Sequence, residues 1–177
     1  MEKGIGWIKQ GVQLVVVLLL ALWLGGWIRS LMMEPVSDQL PSLTLPQISQ
    51  QQGRWQPSGE FSNLSGGDRR LVYLFAPWCA ICKVTFPHLA QWQGQGKNVV
   101  PVALSYADLD EVSDFLTPFA DQAPQQVLLG SAELSRYLDV VAFPTYLIVD
   151  DQGTVVSKRV GYMPEWLLSL YLWANGV

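Results

Sequence analysis

The sequence predicts an α/β domain, with a central mixed β-sheet flanked by helices, that follows one N-terminal transmembrane helix. Three observations predict this architecture. Short apolar runs of strand length alternate with segments whose apolar residues recur at helical spacing. A turn at 151–153 joins the last two strands into a hairpin, which adds antiparallel pairing to the parallel pairing that helical connections allow. Nineteen uncharged residues run from Gln10 to Ile28, ahead of all these elements.

The segment 10–28 is long enough to cross a bilayer. At about 1.5 Å per residue its helix would be about 28 Å long, close to the roughly 30 Å hydrocarbon core. A cleavable signal peptide is the alternative, but its apolar region is shorter and ends in small residues of the A-x-A type, whereas this segment is longer and its ending at 24–28 has no good cleavage site. Lys3 and Lys9 precede the segment and Arg29 follows it. We therefore expect a single-pass protein of the inner (cytoplasmic) membrane whose remaining chain lies in the periplasm.

Composition divides the chain into three parts. These are a membrane anchor at 1–30, a tether and edge segment at 31–60, and the α/β domain at 61–177. The second part is rich in Gln, Pro, Ser and Gly, and its prolines exclude a long helix. Two short edge strands are predicted within it, at 42–45 and 54–56.

The predicted elements of the domain follow in chain order. Strands are predicted at 71–76, 99–104, 126–129, 145–150 and 154–160, where β-branched and aromatic residues are concentrated. Helices are predicted at 80–92, 108–119, 131–138 and 164–173. Pro87 lies inside the first helix and should kink it, and Ser131 should cap the third.

The charge of the chain argues against nucleic acid as a partner. The net charge is −4, and 15% of the residues are charged. Binding to phosphates requires a basic surface, and the longest cationic clusters here are the pairs Arg69-Arg70 and Lys158-Arg159. A function in nucleic-acid recognition is therefore set aside.

Both cysteines of the chain, Cys79 and Cys82, lie in one Cys-x-x-Cys pair. If Cys82 lies one turn into a helix, Cys79 stands at its N-terminus, where free N–H groups and the helix dipole favour a thiolate. That thiolate attacks disulfides, and Cys82 can resolve the resulting mixed disulfide. A structural bridge would close almost no loop, and structural zinc would need four ligands, so redox chemistry is favoured. Copper(I) binding by the two thiolates remains as an alternative.

The domain resembles the thioredoxin family over residues 71–174. Four elements carry the resemblance, in the family's order and spacing: the strand that runs into Ala76–Lys83, the helix-kinking Pro87, the Phe143-Pro144-Thr145 loop, and the 151–153 hairpin followed by Gly161. The N-terminal anchor and the extra elements between Ser105 and Gly130 resemble the membrane-tethered TlpA-like branch. The ending at 161–173 is similar to its copper-sensitivity-suppressor subgroup.

The resemblance implies a thioredoxin fold and assigns roles to six residues. Catalysis falls to Cys79 and Cys82, without a cofactor or a metal. Active-site support is assigned to Trp78, Phe143, Pro144 and Thr145. A cis peptide before Pro144 would present backbone groups to the disulfide and to a docked substrate strand. Phe143 faces the substrate under this interpretation, and lies in the core under the alternative one.

Two positions bear on proton transfer, and one tempts a catalytic assignment. Thioredoxins carry a buried Asp six residues before the first cysteine as a proton relay, and here that residue is Tyr73. Many TlpA-like reductases instead have a Glu after the central strand, and Asp108 could substitute for that Glu, but we expect Asp108 to cap the following helix. His88, the single histidine, lies nine residues beyond Cys79 and should face away from the pair.

The sequence therefore predicts a periplasmic, membrane-tethered thiol–disulfide oxidoreductase that reduces disulfides in exported proteins. Its expected partners are exported proteins with cysteines or disulfides, and a membrane thiol–disulfide protein that returns electrons. A disulfide-donating oxidant of the same fold and a copper(I)-handling binding protein are the alternatives. The uncharged dipeptide Ala80-Ile81 does not decide the direction of electron flow.

Overall fold

The computed structural model of the chain describes residues 13–17, 19–20, 39–40, 44–51, 53–64, 67–121, 124 and 126–177. The chain divides into two compact units, Met1–Pro35 and Val36–Val177. In the first unit, the described residues 13–17 and 19–20 are helical. No helix among the described residues has both the length and the hydropathy needed to cross a membrane. Most of the predicted anchor at 10–28 lies outside the described residues.

The second unit is organised around one mixed β-sheet. Its strands are β1 (Thr44–Gln51), β2 (Arg54–Asn63), β3 (Arg70–Phe75), β4 (Val99–Ala103), β5 (Gln126–Leu129), β6 (Thr145–Val149) and β7 (Val155–Val160). Within the described residues these seven strands form one sheet in the order β2-β1-β5-β4-β3-β6-β7. The pairs β3–β4 and β4–β5 are parallel, and the other pairs are antiparallel. The predicted mixed sheet is confirmed.

The prediction of two short edge strands before residue 61 is wrong in extent. Instead of 42–45 and 54–56, the hairpin β1–β2 spans Thr44 to Asn63, and β1 pairs with β5. The prolines are compatible with these longer strands because of where they lie. Pro46 adjoins an irregularity in the β1–β2 register, and Pro57 lies on β2, an edge strand of the sheet, where a missing N–H breaks no ladder.

The helices are α1 (Ala80–Thr85), α2 (Pro87–Gly94), α3 (Leu109–Leu116), α4 (Ala132–Tyr137) and α5 (Glu165–Ala174), and a 3₁₀ turn, Thr117–Phe119, continues α3. The single helix predicted at 80–92 is two helices that meet at Phe86. Pro87 begins the second one, at a position where its missing N–H is not needed. Asp108 and Ser131 cap α3 and α4, as predicted. Their side-chain oxygens accept hydrogen bonds from the backbone amides of Glu111 and Leu134, respectively.

Alternate residues of the central strand β3 point into two separate apolar clusters. Tyr73 and Phe75 belong to the cluster that contains the buried apolar residues of α1, α2, α3 and α5. Val72 and Leu74 belong to the cluster that contains Leu134 of α4. All four of these strand residues have 0% exposure. β3 is therefore packed on both faces, and this packing fixes the position at which the loop that leads to Cys79 begins.

Candidate functional site

The direction of two neighbouring strands brings distant residues together at one edge of the sheet. β3 ends at Phe75 and runs antiparallel to β6, so Leu74 lies opposite Thr145. Cys79 follows the end of β3, and Pro144 immediately precedes the start of β6. The sheet therefore places the Cys-x-x-Cys segment beside the Phe143–Pro144 peptide, although 64 residues separate Cys79 from Phe143.

Cys79 caps the N-terminus of α1, as the sequence predicts. Its Sγ accepts a hydrogen bond from the Cys82 amide at 3.2 Å and lies 3.7 Å from the carbonyl oxygen of Phe143, to which the thiol donates. Cys79 keeps 7% exposure, whereas Cys82 has 0%. Of the two sulfurs, Cys79 is thus the one that an incoming disulfide can reach, and Cys82 lies behind it.

The loop before β6 is held from both sides. The Phe143–Pro144 peptide is cis, which confirms the prediction. The buried Thr145 donates its hydroxyl hydrogen to the Ala142 carbonyl at 2.7 Å, and the Gly161 amide donates to the Pro144 carbonyl at 2.8 Å. Gly161 has φ +93°, a backbone conformation that other residues rarely adopt. These contacts fix the backbone groups that face Cys79.

Trp78 lies at the protein surface and contacts both the Ser105 backbone and the Phe143 ring. Its side chain is 61% exposed, and its indole N–H donates to the Ser105 carbonyl at 2.8 Å. The indole meets the ring of Phe143 edge to face, with centroids 5.7 Å apart. Phe143 itself is partly buried and packs against both apolar clusters. Its ring therefore lies at the boundary between the core and the exposed surface beside Cys79. Ile81, on the other side of Cys79, is also exposed.

Cys82 is buried among groups that oppose its ionisation. Burial is the main cause that raises the pKa of Cys82, to about 12, and a hydrogen bond to Cys79 adds to it. The backbone of Ala76 and, to a smaller extent, the Tyr73 hydroxyl lower the pKa of Cys82. Burial also raises the pKa of Tyr73 well above its ordinary value, so this hydroxyl is protonated at neutral pH. Tyr73 therefore places a protonated hydroxyl beside Cys82, at the position where thioredoxins have a carboxylate, and this hydroxyl lies 2.6 Å from Oγ1 of Thr85.

The other ionisable candidates lie away from the sulfurs. Asp108 is exposed and caps α3, so it is not the buried carboxylate that was considered. His88 lies 3.6 Å from the Glu165 carboxylate and stacks on Trp92, which connects α2 to α5. Among the described residues no group of three or more His, Cys, Asp or Glu side chains could hold a metal ion.

Sequence reasoning missed two residues next to Cys82. Thr85 lies three residues after Cys82 on α1, is 3% exposed, and has its Oγ1 2.6 Å from the Tyr73 hydroxyl oxygen. Tyr146 lies opposite Tyr73 in the β3–β6 ladder, with ring centroids 5.3 Å apart. A signal was present for Thr85, since a polar residue at i+3 from Cys82 shares its helical face. Nothing in the sequence indicates that Tyr146 faces Tyr73, because the register of β6 is a tertiary feature.

The fold and the close Cys79–Cys82 pair define the class of this protein, a thioredoxin-like thiol–disulfide oxidoreductase. No protein-family model matches the chain. It is similar to Thioredoxin-like protein YneN of Bacillus subtilis, with 22% identity over 131 residues that cover 67% of this chain and 77% of YneN. It is also similar to Thiol-disulfide oxidoreductase ResA of the same bacterium, with 27% identity over 117 residues and 64% of each chain covered.

A solved structure shows the same fold. The thiol:disulfide interchange protein DsbE from Chlorobium tepidum superposes with a TM-score of 0.58 at 23% identity, over 81% of this chain and 99% of that one. The relatives and the structural neighbours are thiol–disulfide oxidoreductases or thioredoxin-like proteins. The thioredoxin fold that the resemblance implied is confirmed.

Proposed function

We propose that this protein is a membrane-tethered reductant of disulfides in exported proteins, with its active site in the periplasm. One observation carries the chemistry. The accessible sulfur of Cys79 stands at a helix N-terminus, 3.7 Å from the carbonyl before cis-Pro144, with the Cys82 thiol buried behind it. A disulfide that docks along this loop meets the Cys79 sulfur first, and Cys82 can reach the mixed disulfide only from inside.

The exposed surface beside Cys79 suits unfolded or extended substrates. Trp78 and Ile81 expose apolar side chains on either side of Cys79, and Val141 does so in the loop that leads to Phe143. The backbone before Pro144 provides polar groups for pairing with an extended segment. The substrate class is therefore cysteine-containing exported polypeptides, recognised through backbone and apolar contacts.

The surroundings of Cys82 leave the direction of electron flow to Cys79. A dithiol pair becomes a strong oxidant when the protein stabilises its reduced, thiolate-containing form. Burial raises the pKa of Cys82, so the reduced pair gains nothing from ionisation of this sulfur at neutral pH. The measured potential of the pair therefore decides between a reductant and a disulfide-donating oxidant.

The membrane tether and the compartment rest on the sequence. The uncharged segment 10–28 and the charges around it support an anchor with the domain in the periplasm. A reductant there needs electrons, which a thiol–disulfide protein of the membrane would return to the Cys79–Cys82 disulfide. The similarity of 161–173 to the copper-sensitivity-suppressor subgroup supports proteins of copper stress as the first substrates to examine.

The test is insulin reduction by the exported domain with dithiothreitol as electron source. The parent protein should accelerate insulin reduction, Cys79→Ala should abolish the acceleration, and Cys82→Ala should accumulate mixed disulfides with insulin. A Cys79→Ala protein that still accelerates the reaction would overturn the mechanism.

Two measurements separate the alternatives. Equilibration of the Cys79–Cys82 pair with glutathione gives its potential, and trapping the protein with an alkylating agent directly from cells gives its redox state. A low potential with a mostly reduced pool supports the reductant, and an oxidised pool supports the oxidant. Titration of the reduced domain with copper(I) under glutathione competition tests the binding protein, which predicts tight stoichiometric binding.

A further inference from the structure

Three hydroxyl groups cluster around the buried thiol of Cys82. Tyr73 comes from the middle of β3, Tyr146 lies opposite it on β6, and Thr85 is one turn after Cys82 on α1. Tyr73, Tyr146 and Cys82 have 0% exposure, and Thr85 has 3%. Polar groups at such depth are costly unless they are hydrogen-bonded, so the cluster calls for a physical explanation.

The hydrogen bonds of Thr85 allow two arrangements. Its Oγ1 lies 3.1 Å from the Ile81 carbonyl oxygen and 2.6 Å from the Tyr73 hydroxyl oxygen. Thr85 has one hydroxyl hydrogen and a carbonyl only accepts. While Thr85 donates to Ile81, the Tyr73 hydroxyl donates to Thr85. When Thr85 donates to Tyr73 instead, the hydrogen of Tyr73 is free to turn toward the neighbouring Cys82 sulfur.

The arrangement in which Thr85 donates to Tyr73 matters during the resolving step, when Cys82 attacks the mixed disulfide. The titratable groups that face Cys82 are Cys79 on its own helix, Tyr73 from β3 and Tyr146 from β6. In the reduced pair, the Cys79 sulfur accepts from the Cys82 amide. Once Cys79 is bonded to a substrate sulfur, it has neither a thiol hydrogen to donate nor a negative charge. The Tyr73 hydroxyl then remains as the side-chain donor that can stabilise negative charge on the buried Cys82 sulfur.

We propose that Tyr73 is a positioning residue for the resolving step, with Thr85 as its own hydrogen-bond donor. The Tyr73 hydroxyl donates to the Cys82 sulfur while that sulfur becomes a thiolate and attacks the mixed disulfide. This inference rests on the thiol–disulfide exchange proposed above. It extends that exchange by assigning the stabilisation of the second cysteine to a hydroxyl pair.

The step balances without a further reactant. The Cys82 sulfur loses its proton and attacks Sγ of Cys79, a Cys79–Cys82 disulfide forms, and the bond between Cys79 and the substrate sulfur breaks. The substrate leaves as a thiolate with the electron pair of that bond and takes up one proton, so Cys82–SH and Cys79–S–S–R become the disulfide and R–SH. Tyr73 and Thr85 turn their hydroxyls and end with the protons they began with.

The experiment separates the two steps with 5,5′-dithiobis(2-nitrobenzoate) in stopped flow. Attack by Cys79 releases the first thionitrobenzoate at a rate proportional to reagent concentration. Resolution by Cys82 releases the second thionitrobenzoate at a rate that does not depend on reagent concentration. Both rates are measured as a function of pH. The first phase tests the proposed function, and the second phase tests the role of Tyr73.

Tyr73→Phe keeps the ring and removes the hydroxyl, while Thr85 can still donate to Ile81. Its second phase should slow roughly tenfold near neutral pH, because a hydrogen bond to a charged sulfur is lost. The pH midpoint of that phase should rise, since loss of a donor raises the pKa of Cys82 further. The first phase should change less than about twofold. Tyr171→Phe, which removes a hydroxyl buried elsewhere in the same core, is the matched control and should leave both phases unchanged.

A second pair of variants keeps the inference testable if Tyr73→Phe does not fold. Thr85→Val should shift the second phase in the same direction by a smaller factor, and Thr85→Ser, which keeps the hydroxyl, should restore it. A second-phase pH profile of Tyr73→Phe that superposes on the parent profile overturns the proposal, as do identical profiles for Thr85→Val and Thr85→Ser. A parent protein without a Cys79-dependent first phase instead overturns the proposed function.

Discussion

The burial of Cys82 predicts a large loss of reactivity toward alkylating agents. The suitable variant is Cys79→Ala, in which Cys82 is the single cysteine of the chain. Its reaction with iodoacetamide requires a thiolate that the reagent can reach. In the folded protein the Cys82 side chain has 0% exposure, and burial, the largest cause of its raised pKa, does not depend on Cys79.

The magnitude follows from the fraction of thiolate. An ordinary cysteine with a pKa near 8.5 is about one quarter ionised at pH 8. With a pKa of about 12, Cys82 would be ionised to only ~10⁻⁴ at that pH, which is a reduction of ~10³. Cys79→Ala removes the smaller contributions of Cys79, so we expect a reduction of at least about 10² from ionisation.

The assay compares folded and unfolded Cys79→Ala protein by mass spectrometry after timed alkylation at pH 8. Urea-unfolded protein provides the rate of an ordinary cysteine in the same sequence. Cys82→Ala, in which Cys79 is the only thiol, is the companion variant and should react readily while folded. If folded Cys79→Ala reacts within tenfold of its unfolded form, with circular dichroism showing an intact fold, the reasoning from burial is refuted.

Two further predictions concern the free energy of unfolding. Because folding raises the pKa of Cys82, this free energy should be undiminished below about pH 8.5 and fall by up to about 1.4 kcal/mol per pH unit above it in the reduced protein. Urea titrations of Cys82→Ala should lack that decrease, and parallel curves would contradict the assignment. A Cβ at Gly130 would collide with the buried side chain of Leu104, so Gly130→Ala should lower the free energy of unfolding, measured in urea, by about 1–3 kcal/mol. Gly94→Ala, with nothing within 4 Å, is the control, and equal costs would refute the packing argument.

Much of the fold could be predicted because local chemistry decides it. The 126–129 strand and the caps Asp108 and Ser131 are confirmed, since strand runs and capping side chains act within a few residues of chain. The break at Phe86 also follows from Pro87, although the structure ends one helix and begins another there where a kink was predicted. Such features depend on neighbours in sequence.

The parts that were missed depend on neighbours in space. The hairpin β1–β2 extends the sheet because β1 finds a partner in β5, nearly 80 residues away by the pairing of Ser49 with Gln126. Composition around Pro46 and Pro57 indicated a tether, since prolines weaken strands on average. Only the position of β2 at the edge of the sheet makes Pro57 harmless. The Tyr73–Tyr146 pair is of the same kind, because it exists only in the register of β3 against β6.

Tyrosine in place of a buried carboxylate changes where the proton of Cys82 can go. A carboxylate can accept that proton and hold it. Tyr73 cannot, since burial keeps its hydroxyl protonated, and its partner Thr85 is no base either. If the resolving step runs as proposed, the proton must end on the departing substrate thiolate, which leaves from the neighbouring Cys79. The rate of resolution would then depend on how readily the substrate sulfur leaves and takes up a proton. Such a site would discriminate among its substrates by the chemistry of their thiols as well as by the surface around Trp78 and Phe143.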